Sequence, residues 1–290
     1  MKTDLNTIGR HDRDRRNFEP GFTLTELLVV IATLILLAAL GLPALARTDD
    51  NSTRVVCVHN LRQMAMAMNM YAGDNRDYLA SPNWDGGPST TASLGWLYGM
   101  NNQGVPPHSF PPGECPNPYR TAAPYNLLTN GPLAWQTGLW YKYINNFKSY
   151  LCPVNIESWD YLPPASAGGR NNKLSSYVMN GAVTGDGVYT TPCKLTAVWN
   201  PACYLLWEPD ENAVGLGNPG AFEYNDGANA PDQSEVIGGL HSANGGNLLC
   251  VGGNVEFVTV QTWKLQAKVG SGPGPGGKTL AWWAPGGTGF

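Results

Sequence analysis

Few residues in this chain have the types and the spacing that catalysis requires. The motif Gly-x-Ser-x-Gly of a nucleophilic serine does not occur. The chain has four histidines, and no two of them have the spacing of metal ligands: His11, His59, His108 and His241. We therefore predict no catalytic residue and no metal site. We expect His241 to orient a loop by hydrogen bonding rather than to act in catalysis.

One segment fits the letters of a nucleotide-binding motif but not its mechanism. Residues 272–279 match the phosphate-loop pattern G-x-x-x-x-G-K-[ST]. Pro273 and Pro275 lack the backbone N–H groups that such a loop directs at phosphate. The sequence therefore predicts no nucleotide cofactor here.

The six cysteines are consistent with disulfides or with buried thiols. No Cys-x-x-Cys pair occurs, so neither a zinc ribbon nor a redox motif is predicted. Cys57 and Cys250 lie in apolar periodic stretches, where a buried thiol is equally expected. We predict at least one disulfide, with Cys115 and Cys152 as first candidates because both lie in proline-flanked segments.

The most informative segment is a nearly continuous apolar run over residues 27–46. A helix of this length measures about 30 Å, which matches the hydrocarbon core of a bilayer. Three arginines precede the run, as the positive-inside rule expects of a cytoplasmic segment: Arg13, Arg15 and Arg16. The sequence therefore predicts a membrane-spanning helix.

Glu26 lies at the start of this apolar run. A carboxylate beside hydrocarbon is costly unless it is paired, so Glu26 requires a partner. Thr23 and Glu26 also have the spacing of a capping box, in which Glu26 satisfies the N-terminus of its own helix. The two interpretations are compatible, since a cap in the monomer does not exclude an ion pair in an assembly.

Residues 21–27, Gly-Phe-Thr-Leu-Thr-Glu-Leu, resemble the cleavage and methylation motif of type IV prepilins and type II secretion pseudopilins. The resemblance implies cleavage after Gly21 by a prepilin peptidase and methylation of the new N-terminal residue, Phe22. It implies that Glu26 pairs with the Phe22 amine of a neighbouring subunit. The implied partners are further copies of the chain, the peptidase, the secretion or pilus assembly machinery, and the inner membrane.

A wider resemblance concerns two other segments. Residues 57–63 and 71–75 are similar to the start of large pilin-like proteins of Planctomycetes and their relatives. Those proteins carry a C-terminal His-x9-Asp-Gly motif. Residues 241–253 are a degenerate version of it, with one residue inserted and Gly252 in place of the aspartate.

The pseudopilin resemblance also raises a calcium hypothesis, because several major pseudopilins bind calcium in a C-terminal loop. Asp226, Asp232 and Glu235 offer the hard oxygen ligands that calcium prefers. Their spacing is not that of an EF-hand, and a solvated polar loop is the simpler interpretation. We predict no other cofactor.

Apolar spacing predicts one long helix over residues 23–72, loosened near Gly41 and Pro43. Its second half should present one apolar face, formed by Cys57, Leu61, Met64, Met68 and Tyr71. Met66 and Met70 point away from this face, so the methionines indicate core packing rather than copper binding.

Strands are predicted at residues 149–152, 174–179, 203–207, 247–251 and 254–260, the last two joined by Gly252-Gly253. The prediction is an α+β fold, in which a long N-terminal helix, membrane-spanning in its first half, packs on an antiparallel sheet. The proline-rich residues 81–135 should be fixed to that sheet by Trp84, Trp96, Tyr98 and Trp135.

The predicted division is a leader at 1–21, a transmembrane and assembly helix at 22–46, its amphipathic continuation at 47–80, and a head domain at 81–290. The net charge is −4 and no basic stripe is present, so nucleic-acid binding is not expected.

The sequence thus predicts a non-enzymatic subunit of a type IV pilus-like or type II secretion pseudopilus filament. Its precursor would lie in the inner membrane and its assembled form in the periplasm or outside the cell. The alternative is a tethered or fibre-presented module whose tryptophan-rich head binds carbohydrate or protein. A tethered hydrolase is a third, weaker interpretation.

Overall fold

The computed structural model describes most of the N-terminal helix and the greater part of the C-terminal region. The chain forms two compact units, Met1–Thr48 and Asp49–Phe290. The described residues are 22–83, 95–98, 135–158, 161–162, 173–185, 191–210, 214–215, 218–219, 227–231, 235–242, 244–267 and 278–283, without the side chains of 40–51, 214–215 and 218–219.

The first element is helix α1, Leu24–Asp74, which confirms the predicted long helix. Helix is assigned without interruption through Gly41 and Pro43. At its start, the Thr23 backbone N–H donates to Glu26 Oε2 at 2.9 Å and the Glu26 N–H donates to Thr23 Oγ1 at 3.3 Å. This reciprocal pair is the predicted capping box.

The first part of α1 exposes its apolar side chains. In the described residues, no helix is long and apolar enough to cross a membrane, in contrast to the span predicted at residues 27–46. Residues 40–46 of that span belong to the stretch whose side chains are not described. Leu24 is 78% exposed, Leu34 60% and Leu37 65%.

The strands are β1 (Val178–Asn180), β2 (Tyr204–Trp207), β3 (Val214–Gly215), β4 (Asn218–Pro219), β5 (Ala228–Asn229), β6 (Gly245–Cys250) and β7 (Val255–Thr259). Two further helices are α2 (Tyr141–Ile144) and α3 (Val260–Ala267). Five strands form one sheet in the order β5-β1-β2-β6-β7, and β3 pairs with β4. The fold is therefore α+β, as predicted.

The sheet is mixed, so the prediction of a purely antiparallel sheet is wrong at one edge. β1 pairs with β5 in parallel, whereas β1–β2, β2–β6 and β6–β7 are antiparallel. The Gly227 carbonyl, just before β5, accepts hydrogen bonds from the Met179 N–H at 3.0 Å and from Trp96 Nε1 at 2.8 Å. These contacts, rather than a hairpin turn, fix the direction of this short strand.

Three of the five predicted strands are confirmed and two need correction. β2 and the β6–β7 hairpin around Gly252-Gly253 are confirmed. Residues 149–152 are not a strand: Phe147–Tyr150 is a 3-10 helix, begun by the Asn146 side chain, which accepts from the Lys148 N–H at 3.1 Å. In 174–179 only the end is strand, because the Tyr177 N–H donates to Ser175 Oγ at 2.9 Å instead of to a neighbouring strand.

The second half of α1 packs against the sheet through the predicted face. Cys57, Leu61, Met64 and Met68 are fully buried, and Tyr71 is half-buried. Leu61, Met64 and Met68 share one core cluster with Leu205 and Leu249 of the central strands, and Tyr71 packs against it. Met66 is 59% exposed and Met70 54%, as the helical geometry predicts.

Aromatic residues fill both sides of the sheet. Trp96, Tyr98 and Trp135 are buried in the core with α1, which confirms their predicted role, whereas Trp84 lies outside the described residues. On the opposite side, Trp207 packs against Trp263 of α3 with ring centroids 4.6 Å apart.

Candidate metal centre

Four side chains with metal-binding atoms meet in the interior of the second unit. They are Cys57, Cys152, Glu208 and His241, and their candidate ligand atoms all lie within 4.8 Å of one another. Cys57 lies on α1, Cys152 follows the 3-10 helix, Glu208 follows β2, and His241 precedes β6. The cluster therefore joins four segments that are distant in sequence.

Side chains of α1 bring Cys152 next to Cys57. One turn after Cys57, Asn60 donates from Nδ2 to the Leu151 carbonyl at 3.0 Å. Gln63 hydrogen-bonds the hydroxyl of Ser149. The Cys152 N–H donates to Ser176 Oγ at 2.9 Å. Leu151 and Cys152 are therefore held both to α1 and to the segment that leads into β1.

The Glu208 carboxylate is fully buried and is oriented by Asn247 of β6. Glu208 Oε2 accepts from the Asn247 N–H at 2.8 Å and from its Nδ2 at 3.0 Å. Asn247 Oδ1 in turn accepts from Arg54 Nε at 3.2 Å. A Cβ on Gly246 would lie 2.8 Å from the Gly238 carbonyl oxygen, so the close approach of these backbones requires glycine.

One ring nitrogen of the buried His241 imidazole, Nε2, faces the Cys152 and Glu208 side chains. Nε2 lies 3.4 Å from Cys152 Sγ and 3.3 Å from Glu208 Oε1. In a catalytic triad the acid contacts the ring nitrogen opposite to the one that faces the nucleophile. Here both partners contact Nε2, and both Cys152 and Glu208 are fully buried. The arrangement therefore suits ligation better than nucleophilic catalysis.

The groups in the cluster shift one another's pKa values. Burial alone would raise the pKa of Cys152, but hydrogen bonds from Cys57 and His241 lower it to about 6. Burial would lower the pKa of His241, but hydrogen bonds and charges from Cys152 and Glu208 raise it to about 10. The hydrogen bond to Cys152, followed by burial, raises the pKa of Cys57 far above its usual range. The favoured form is a thiolate at Cys152 beside an imidazolium.

This charge distribution predicts an unusual titration in reduced, chelator-treated protein. A lowered pKa means that the charged form persists to lower pH, so one thiolate should remain until the pH falls through about 6. Ultraviolet thiolate absorbance measures this directly. Cys152→Ser should abolish the signal. Cys203→Ser should retain it, because burial raises the pKa of Cys203 to about 12. A wild-type thiolate that appears only near the ordinary thiol pKa would contradict the prediction.

Of the residues singled out from the sequence, Cys57, Cys152 and His241 belong to this cluster, and the predicted processing and calcium residues do not. Phe22 and Glu26 are exposed at the start of α1, and Gly21 lies outside the described residues. Of the proposed calcium ligands, Glu235 is buried, while Asp226 and Asp232 lie outside the described residues. The suggested Cys115–Cys152 disulfide stays a prediction, since Cys115 is not described. In the structure Cys152 is a free, buried thiol whose neighbours include Cys57, Glu208 and His241.

Sequence reasoning missed the cluster because it searched for ligands at short spacing. The cluster atoms come from four separate segments, and Cys152 and His241 are 89 positions apart. A signal was present nevertheless, because Cys57 lies on the predicted apolar face of α1 and His241 shortly precedes the predicted hairpin.

Comparisons with known proteins give one short similarity. Type II secretion system core protein G of Klebsiella michiganensis is 38% identical over 64 residues, which are 22% of this chain and 45% of that protein. The chain thus spans less than half the length of this relative. No family model matches the chain, and no solved structure matches it.

Proposed function

We propose that this protein is a structural subunit of a type IV pilus-like or type II secretion pseudopilus filament. A prepilin peptidase cuts the precursor after Gly21, Phe22 becomes the methylated N-terminus, and the apolar part of α1 assembles with other copies of the chain. The precursor lies in the inner membrane, and the assembled filament lies in the periplasm or outside the cell.

The observation that carries this proposal is the exposed apolar surface at the start of α1. Eleven large apolar side chains between Phe22 and Leu37 are at least 44% exposed: Phe22, Leu24, Leu27, Leu28, Val29, Val30, Ile31, Leu34, Ile35, Leu36 and Leu37. A surface of this kind marks a protein or lipid contact, because water exposure of so much apolar area is unfavourable. Packing between helices in a filament would cover it.

Two further observations support the proposal. The capping box places the Glu26 carboxylate at the first turn of α1, three residues from Thr23, close in sequence to the Phe22 amine that cleavage would create. The similarity to a type II secretion core protein concerns a protein of the same class. Together with residues 21–27, these observations favour the type II secretion assembly as the setting.

The alternative of a carbohydrate-binding head receives less support. Stacking on a sugar requires an exposed aromatic face. Six tryptophans are fully buried: Trp96, Trp140, Trp207, Trp263, Trp282 and Trp283. Among the described tryptophans, Trp199 is exposed by 46%. The abundance of tryptophan is thus explained mainly by core packing.

Processing provides the experimental test of this proposal. Co-expression with a prepilin peptidase should yield chains that start at N-methylated Phe22, as measured by intact mass. Gly21→Leu should block cleavage, because the peptidase motif requires the small residue at this position. The matched leader variant Gly9→Leu should be cleaved normally. A wild-type chain that keeps residues 1–21 in the presence of active peptidase would overturn the proposal.

A further inference from the structure

We propose that Cys57, Cys152, Glu208 and His241 bind one Zn²⁺ ion, which ties the second half of α1 to the sheet. The inference concerns the folded head and holds whether or not the protein forms filaments. It rests on the distances between the four side chains, on their chemical types and on the residues that orient them.

The distances fit tetrahedral coordination. Zinc bonds of about 2.0–2.3 Å at tetrahedral angles place neighbouring ligand atoms about 3.3–3.8 Å apart. His241 Nε2 lies 3.3 Å from Glu208 Oε1 and 3.4 Å from Cys152 Sγ. All four ligand atoms lie within 4.8 Å of one another. Sub-ångström adjustments of side chains would therefore complete the site.

The ligand types select zinc among the common metals. Two sulfurs and an imidazole exclude calcium and magnesium, which prefer oxygen ligands. Sulfur and nitrogen ligands in a closed, buried tetrahedron are typical of structural zinc sites, and a carboxylate oxygen is an accepted zinc ligand. Because Cys57, Cys152 and Glu208 are fully buried, the site is closed to substrate and serves structure.

Residues around the cluster hydrogen-bond two of the candidate ligands and orient them, as residues around metal ligands usually do. Asn247 fixes the Glu208 carboxylate through two hydrogen bonds to Oε2 and a longer one, from Nδ2, to Oε1 at 3.3 Å; Oε1 also lies 3.3 Å from His241 Nε2. Tyr177 hydrogen-bonds the Cys57 thiol. Its hydroxyl also accepts from Asn60 Nδ2 at 3.4 Å. Each of these partners is buried, so the orientation of Glu208 and Cys57 is fixed before metal binds.

Charge also favours a dication. With both cysteines as thiolates, the cluster has three negative charges, and such a group is unfavourable in a buried site without a cation. Zinc neutralises two of these charges. The Arg54 guanidinium lies nearby, because it donates to the Asn247 side chain, which in turn donates to Glu208.

A Cys57–Cys152 disulfide is the competing chemistry. Disulfide sulfurs carry no proton to donate and no negative charge. If the disulfide formed, His241 Nε2 would lose the Cys152 thiolate as a hydrogen-bond acceptor. The Glu208 carboxylate would have the imidazole as its only cation within the cluster. Metal binding instead uses all four groups. The two chemistries are mutually exclusive at these sulfurs, so one experiment distinguishes them.

The experiment measures zinc in the full chain, purified in detergent under argon without chelator. Elemental analysis should find about one zinc per chain with both thiols reduced. Chelator treatment should lower the thermal unfolding midpoint by at least about 5 °C, and added zinc should restore it. Cobalt loading of the chelated protein should give the intense visible bands of tetrahedral coordination together with sulfur-to-cobalt charge transfer.

Matched variants locate the metal. Cys57→Ser and Cys152→Ser should each reduce bound zinc more than about tenfold. Cys250→Ser should retain it, because Cys250 is a buried cysteine outside the cluster. If a cluster variant does not fold, the cobalt spectrum of the wild type decides whether a tetrahedral site with sulfur ligands is present. A Cys57–Cys152 disulfide in the mapped peptides, an octahedral cobalt spectrum, or equal zinc in the wild type and Cys57→Ser would overturn the proposal.

Discussion

Glu26→Gln should prevent filament assembly while leaving peptidase cleavage and head folding intact. Glutamine keeps the size of the side chain and can serve in a capping box, so the start of α1 remains stable. The substitution removes the charge that would pair with the Phe22 amine of a neighbour. Because the unpaired amine would recur at every subunit contact, we expect filament yield to fall more than about tenfold. Sedimentation and electron microscopy of filaments measure the effect.

Thr23→Ala provides the matched control for this substitution. It removes the hydroxyl that hydrogen-bonds the Glu26 carboxylate at 2.6 Å but leaves the charge in place. If Glu26 acts by pairing between subunits, Thr23→Ala should assemble and Glu26→Gln should not. Normal filaments from Glu26→Gln would show that Glu26 acts only as a helix cap, and the assembly claim would then rest on the apolar surface alone.

Trp96→Ala should lower the free energy of unfolding by about 3–5 kcal/mol, which is the usual cost of removing a large buried aromatic side chain. Trp96 is fully buried, and its ring centroid lies 5.2 Å from that of Trp140 and 5.8 Å from that of Tyr150. Its Nε1 donates to the Gly227 carbonyl at 2.8 Å, next to β5. The substitution therefore leaves a cavity and removes one of the two hydrogen-bond donors to the buried Gly227 carbonyl, the other being the Met179 N–H. Denaturant unfolding followed by circular dichroism measures the change.

Trp199→Ala is the control for this substitution, because Trp199 is 46% exposed. We expect it to change the free energy of unfolding by less than about 1 kcal/mol. Equal destabilisation by the two substitutions would contradict the assignment of Trp96 to the core. Loss of binding to an identified glycan in Trp199→Ala would instead support the alternative of a carbohydrate-binding head.

The helix and the hairpin were predictable because their signals are local. The apolar face from Cys57 to Met68 follows the period of one helix, and Gly252-Gly253 lies between two apolar stretches. The 3-10 helix Phe147–Tyr150 was not predictable from alternation, because a single hydrogen bond from Lys148 N–H to the Asn146 side chain starts it. The parallel β1–β5 pair depends on the distant contact between Trp96 and Gly227.

The candidate metal centre was beyond sequence reasoning for a different reason. Its ligands become neighbours only after α1 has packed on the sheet and Asn60 has bound the Leu151 carbonyl. No spacing rule relates Cys57 to Glu208 or His241. By contrast, the motif proposed for processing, residues 21–27, is contiguous, so its prediction needed no tertiary structure.

Electron cryo-microscopy of assemblies formed by the mature wild-type chain is the sharpest test of the proposed function. We expect filaments in which residues 24–39 of neighbouring subunits pack together and the Glu26 carboxylate contacts the amine of an adjacent Phe22. Filaments held together by the heads, with residues 24–39 still exposed, would contradict it. A mature chain that stays monomeric in the presence of an intact assembly machinery would also contradict it.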